Sequence, residues 1–163
     1  MISDYNRYYG CVFCFLVDRL QSTISIRRLS VGVQGFYIVN ETVPLYIKFS
    51  RTRKGPWSFN FQKDHQKQYS ELVSRYRNCV TVLVCGKDGL VALEHDQLRE
   101  ILDDQFEDQE SVTVRRKLGH MYSVKGTDGQ LTRKIGRDSL QNIVGRIVGS
   151  ALVEDSDLDA ALS

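Results

Sequence analysis

V-P-L-Y-I-K-F-S-R-T-R-K-G-P-W-S-F-N-F, running from Val43 to Phe61, is the stretch on which the reading of the fold turns. Side chains alternate across a strand with a period of two, so Val43, Leu45, Ile47 and Phe49 share one face while Pro44, Tyr46, Lys48 and Ser50 share the other. Lys48 therefore points away from the continuous apolar face. A turn follows at Gly55-Pro56 after the bases Arg51, Arg53 and Lys54, and Trp57, Phe59 and Phe61 then alternate with Ser58 and Asn60 as a further hairpin partner.

Upstream of this stretch, Tyr8, Tyr9, Val12, Phe13, Leu16, Val17 and Leu20 recur at helical spacing and predict a helix over Tyr5 to Leu20. Thr23 to Leu29 and Gly35 to Val39 alternate as strands, and Asn40-Glu41-Thr42 makes a tight turn into Val43. Downstream, Lys63 to Arg77 returns to a helical pattern with a narrow stripe of Tyr69, Leu72, Val73 and Tyr76. Cys79 to Cys85, C-V-T-V-L-V-C, is the most apolar run and predicts a central strand buried on both faces. Leu90 to Leu93 is an outer strand, and Asp96 caps a helix through Phe106. Ser111 to Arg116 and Met121 to Lys125 form a hairpin, and a last helix begins at Asp138 or Ser139 with the stripe Leu140, Ile143, Val144, Ile147, Val148, Ala151 and Leu152.

With 163 residues, 42% hydrophobic and 26% charged, the composition is that of an ordinary globular chain. We expect one α/β domain over residues 1–150, with a mixed central sheet flanked by helices. Residues 151–163, which hold Glu154, Asp155, Asp157 and Asp159 and no base, are expected to be a flexible acidic tail. Without those four acids the body carries 22 bases against 16 acids, which weakly favours a polyanionic partner. No apolar run approaches the roughly 20 residues of a membrane-spanning helix, and a cytoplasmic location with no membrane partner is expected. The thiols Cys11, Cys14, Cys79 and Cys85 all lie in apolar sequence, so neither a disulfide framework nor a zinc site is expected, and no cofactor. His65, His95 and His120 lack any metalloprotease or triad context, and there is no phosphate-binding loop or G-x-S-x-G motif.

Helix, three antiparallel strands, helix and buried strand over Tyr5 to Cys85 is the αβββαβ order of the restriction-endonuclease-like superfamily, the PD-(D/E)xK nucleases, which this half of the chain resembles. The segment Y-I-K-F-S looks like that family's third core strand, with Lys48 at the lysine. The resemblance implies two acids holding Mg²⁺, one before or on the second strand and one two residues before the lysine. Magnesium requires hard oxygen ligands and would activate a water beside the scissile phosphate. Here Tyr46 stands at the second acid position, and no Asp or Glu lies between Asp18 and Glu41. The resemblance thus implies a degenerate member, with a Mg²⁺-dependent nuclease using Lys48 and relocated acids at Glu41, Asp64 or Glu71 as the alternative.

Each of these residues also has a plainer reading. Lys48 is either the remnant of a catalytic lysine or a strand lysine extending from an edge. Arg51, Arg53, Lys54 and Trp57 are either a nucleic-acid patch, with cations on phosphates and the indole stacked on a base, or a solvated turn whose Trp57 points into the core. Residues 94–110 carry eight acids and one base, residues 111–137 seven bases and one acid, and the two segments are expected to neutralise each other across a shared surface. The 140–152 helix docks on its own sheet or on a second copy; Gly145 and Gly149 lower its intrinsic stability by about 1 kcal/mol each relative to alanine. Together these features predict a noncatalytic nuclease-like domain that binds nucleic acid or a protein, in a DNA-processing or defence setting.

Overall fold

The computed structural model describes residues 1–106 and 108–162, with side chains to residue 150. Helix α1, Asp4–Arg19, starts where the Ser3 hydroxyl accepts from the Asn6 amide and the Asn6 side chain accepts from the Ser3 amide, and it buries Tyr9, Val12 and Leu16. Three strands follow, β1 (Ile26–Arg28), β2 (Phe36–Val39) and β3 (Val43–Ser50), then β4 (Trp57–Gln62), helix α2 (Lys63–Tyr76) and β5 (Val80–Cys85). Strand β6 (Gly89–Leu93), helix α3 (His95–Ile101), the hairpin β7 (Gln109–Arg115) and β8 (Ser123–Gly126), and helix α4 (Ser139–Leu162) complete the chain.

Five strands form a mixed sheet in the order β1-β2-β3-β5-β6. Strands β3 and β5 pair in parallel, Tyr46 opposite Thr81 and Lys48 opposite Leu83, and every other neighbour is antiparallel. The architecture is α/β, and helix, three antiparallel strands, helix and buried strand follow in the expected order, with β4 interposed before α2. A second, antiparallel sheet, β4-β7-β8, lies outside it.

Two apolar clusters sit on opposite faces of the main sheet, and the period of two sorts each strand between them. Val43, Leu45 and Ile47 of β3 join Val80, Val82 and Val84 of β5 under Val12 and Leu16 of α1 and Leu140, Val144 and Val148 of α4. Tyr46 of β3 joins Leu83 and Cys85 of β5 against Tyr69 and Leu72 of α2, Leu98 and Ile101 of α3 and the inner face of the second sheet. The α4 stripe therefore docks on this chain's own sheet as far as Val148, and the Ser139 hydroxyl accepts from the Ala92 amide of β6 at 2.9 Å. The expected acidic tail, 151–163, lies outside the described side chains. Among the described residues, no helix is long and apolar enough to cross a membrane.

Two expectations are corrected. Trp57 to Phe61 is a strand, but it pairs with β7, Phe59 opposite Val112, rather than returning beside β3. Both edges of β3 are taken, one by β2 and the other by β5, so the next strand has no place in that sheet. Helix α3 ends at Ile101, short of Phe106, and Glu94 rather than Asp96 caps it, with Gln97 reciprocating on the Glu94 amide. Leu102 turns extended, and its side chain is buried.

Asp88, in the turn between β5 and β6, ties the two sheets together. Its carboxylate accepts from Arg116 at 2.8 and 2.5 Å and from the Tyr122 hydroxyl at 2.6 Å. The hydrogen bonds from Arg116 hold its carboxyl below the usual range, against the opposing effect of burial. The Arg116 side chain is only 6% exposed, so removing its counter-charge leaves a guanidinium stranded in the protein. Asp88→Ala is expected to unfold at a lower urea midpoint than wild type at pH 7. The carboxylate's contribution is full above the unfolded pKa and disappears as pH falls through the folded one, so the gap between variant and wild type closes in acid.

Candidate functional site

Strand β3 carries Tyr46 and Lys48 on the same face, two residues apart, and helix α2 brings His65 beside them. The Lys48 Nζ donates to the Tyr46 Oη at 3.2 Å, and that hydroxyl is hydrogen-bonded to the His65 Nδ1 at 2.6 Å. A neutral His65 protonated on Nε2 accepts the Tyr46 proton at Nδ1, while the other tautomer donates to the Tyr46 oxygen. The ammonium also lies over two rings, 5.3 Å from the centroid of Tyr46 and 5.1 Å from that of Phe61. Beneath it, Phe36 of β2 is directly opposite Tyr46, and the two rings stack at 4.3 Å with planes 2° apart.

This environment is aromatic and amine where a metal site needs anionic oxygen. Burial alone lowers Lys48 from the ordinary lysine value to about 8. Burial first, then the neighbouring Lys48 charge, lowers His65 as well, against a small opposing effect of Asp64. Tyr46 is pushed far up by burial, so its hydroxyl stays protonated. Among the described residues Lys48 makes no ion pair. The residues around Lys48 do not fit Mg²⁺, which takes hard oxygen ligands in near-octahedral geometry.

The acids considered as relocated ligands are not brought to Lys48. Glu41 is exposed in its turn and held by Arg27 at 2.6 Å. Asp64 is exposed and lines a separate depression with Asn60 and Asp108, and Glu71 is exposed on α2. One carboxylate group does gather elsewhere among the described residues: single oxygens of Asp103, Glu110 and Asp128 lie within 4.8 Å of one another, between the end of α3 and the β7–β8 hairpin. These three are the residues that could hold a divalent cation, though such groups are common without one.

The basic turn divides. Trp57 is 3% exposed, its Nε1 donates to the Thr52 carbonyl at 2.9 Å, and its indole packs near Tyr122, so no face is open for a base to stack on. The indole instead anchors the turn from inside. Arg51 reaches Asp4 at 3.1 Å, while Arg53 and Lys54 are exposed.

The basic hairpin, read from the sequence only as a counterpart to the acidic helix, meets this turn in space. A cavity of about 420 Å³ is lined by Gly55 and Pro56 together with Arg115, Lys117, Gln130 and Lys134. Several charges of the two segments pair with other partners. Glu94 pairs with Arg146 and Asp104 with Arg99, while Arg116 and Arg137 turn to Asp88. Arg115, Lys117 and Lys134 are exposed and make no ion pair among the described residues.

The density of bases in 111–137 was the signal for this surface, and its junction with a turn some sixty residues earlier was not visible. His65 gave no signal, because its partner Tyr46 lies nineteen residues away. The cysteine pairs are divided by the main sheet, Cys79 and Cys85 in one core and Cys11 packed against the other.

The fold is thus that of an α/β domain with a mixed sheet, whose buried lysine is lined by aromatic rings and an imidazole. Among solved structures the chain is similar to Hjc, a Holliday junction resolvase of Archaeoglobus fulgidus, an archaeal hyperthermophile. The likeness has 10% sequence identity and a TM-score of 0.47, and it covers 67% of this chain and 83% of that one. At that level it carries no residue correspondence. No family model matches the chain, and no curated protein does.

Between about pH 8 and 10.5 the unfolded chain holds a proton on Lys48 that the folded chain has released, so this residue makes stability rise with pH across that window. Below it the desolvation cost stands in full, roughly 3 kcal/mol for a shift of this size. Lys48→Met is expected to be more stable than wild type by up to roughly that amount at pH 7, with the advantage fading by the top of the window. Urea denaturation at the two pH values measures the difference.

Proposed function

We propose that this chain is a noncatalytic nucleic-acid-binding module built on a nuclease-like core. The observation that carries the first half is the lining of the lysine site. Tyr46 stands at the acid position, hydrogen-bonded to Lys48 and His65, with Phe36 stacked beneath it and no carboxylate paired with the amine among the described residues. Without a hard anionic ligand there is nothing to hold a cation against a scissile phosphate.

The second half is supported by the surface where the turn around Gly55-Pro56 meets the β7–β8 hairpin. Its exposed Arg115, Lys117 and Lys134 face solvent around a cavity of about 420 Å³, with Arg53 and Lys54 on the adjoining turn. Cations grouped in this way neutralise phosphates and release counterions, which gives affinity without requiring sequence recognition. Gln130 and Ser123 line the same cavity and supply neutral hydrogen-bonding groups.

The purified chain, incubated with Mg²⁺ or Mn²⁺ and single- or double-stranded DNA or RNA, is expected to leave the nucleic acid intact and to bind it with an affinity that falls steeply with salt. Replacing Arg115, Lys117 and Lys134 together by alanine should reduce the logarithmic salt slope by about 2–3. Cation-dependent cleavage abolished by Lys48→Ala would overturn the noncatalytic reading, and absence of binding at low salt the nucleic-acid reading.

A further inference from the structure

We propose that Lys48 is an amine nucleophile that captures a small aldehyde as an imine in the cavity beside β3. This chemistry is separate from nucleic-acid binding at the hairpin surface and does not rest on it. Strand β2 runs out at Phe36, opposite Tyr46, and the Gly35 carbonyl accepts the Ile47 amide as the last contact on that edge. Beyond it a cavity of about 180 Å³ opens, lined by Tyr5, Tyr9, Gln34, Lys48, Phe49 and His65. Water's share of liquid volume is about 30 Å³, so the space suits a molecule of a few heavy atoms.

Three features of the site suit imine formation. The amine has one hydrogen-bond partner, the Tyr46 hydroxyl, and makes no ion pair among the described residues, so nothing locks it as an ammonium. Its burial against the sheet favours the neutral form with a free lone pair, outweighing the attraction of the two ring faces for the ammonium. The Tyr46 hydroxyl, bonded to both the amine and the His65 imidazole, forms a continuous path for a proton between Nζ and the ring. Burial brings Lys48 to about 8 and leaves about a tenth of the amine neutral at pH 7.

The steps balance without an oxidant or a reductant. The Nζ lone pair attacks the carbonyl carbon, the C–N bond forms, and the carbonyl π pair moves to oxygen. The new ammonium passes a proton through Tyr46 to His65, and the alkoxide takes one from solvent water to give the carbinolamine. The proton held at His65 returns through the relay to the hydroxyl and expels water as the C=N bond forms, and the iminium proton leaves through the relay to solvent, restoring the one taken up by the alkoxide. One aldehyde and one amine give one imine and one water. Lys48 is the nucleophile; Tyr46 and His65 move the proton.

The test treats the full chain with propanal and sodium cyanoborohydride, which traps imines as stable secondary amines, and follows each lysine by peptide mass spectrometry. At pH 7 Lys48 is expected to be alkylated about tenfold or more faster than exposed lysines such as Lys54 and Lys117. Its rate should reach half-maximum near pH 8. Tyr46→Phe, and separately His65→Ala on the half-buried helix face, should slow Lys48 by about tenfold or more and leave Lys54 unchanged. A parallel arm with an oligonucleotide bearing an abasic-sugar aldehyde separates the sources: trapping by propanal alone assigns a free small aldehyde, and trapping by both extends the site to an aldehyde borne on nucleic acid. Labelling of Lys48 no faster than of Lys54, or an unchanged Lys48 rate in both relay variants, would sink the proposal.

Discussion

Strand β3 is paired on both edges and covered on both faces, and that confinement governs what its polar side chains can do. A lysine on such a strand has lost most of its water, so its charge must be met inside the protein or given up. In this chain no carboxylate meets it among the described residues. One hydroxyl and two ring faces do, too little to offset burial, which brings the amine to about 8. Tyr46 is the pivot, because one side chain fills the core beside Phe36, accepts from Lys48 and bonds to His65. An acid in its place would bring a second charge into the same enclosed volume and remove the stacked ring.

The same economy of partners shapes the rest of the charged surface. Asp88 collects Arg116, Tyr122 and, at 3.8 Å, Arg137, so the only acid in the turn between β5 and β6 is spent on fastening the second sheet to the first. The remaining bases of the hairpin are left facing solvent. Trp57 contributes from beneath: held by the Thr52 carbonyl and packed near Tyr122, it fixes the turn that carries Arg53 and Lys54 next to that hairpin. A residue expected to contact a ligand instead positions the backbone from which others can.

Local periodicity was legible. The alternation in Val43 to Ser50 placed Lys48 on the face opposite Leu45 and Ile47, and the unbroken apolar run at Cys79 to Cys85 marked the strand that is buried on both sides. Helices α1, α2 and α4 followed from their apolar stripes, because a helix that packs on one face must repeat its apolar residues every three or four positions. The absence of an acid at Tyr46, and of any acid between Asp18 and Glu41, was likewise visible in the sequence.

Which strand pairs with which is not a local property. Trp57 to Phe61 alternates as cleanly as any strand, yet its partner was decided by the edges of β3 being already occupied, a fact that exists only once β2 and β5 have paired. The early end of α3 is of the same kind, since burying Leu102 in an extended conformation outweighs the continuing helical pattern. So too with His65, the cavity beside β3 and the meeting of the basic turn with the basic hairpin. By itself the sequence determined the elements, their faces and the missing acids, because those depend on neighbours a few residues away. Tertiary structure decided what surrounds Lys48 and which bases stand together, because charge, burial and hydrogen bonding there are set by residues that are distant along the chain.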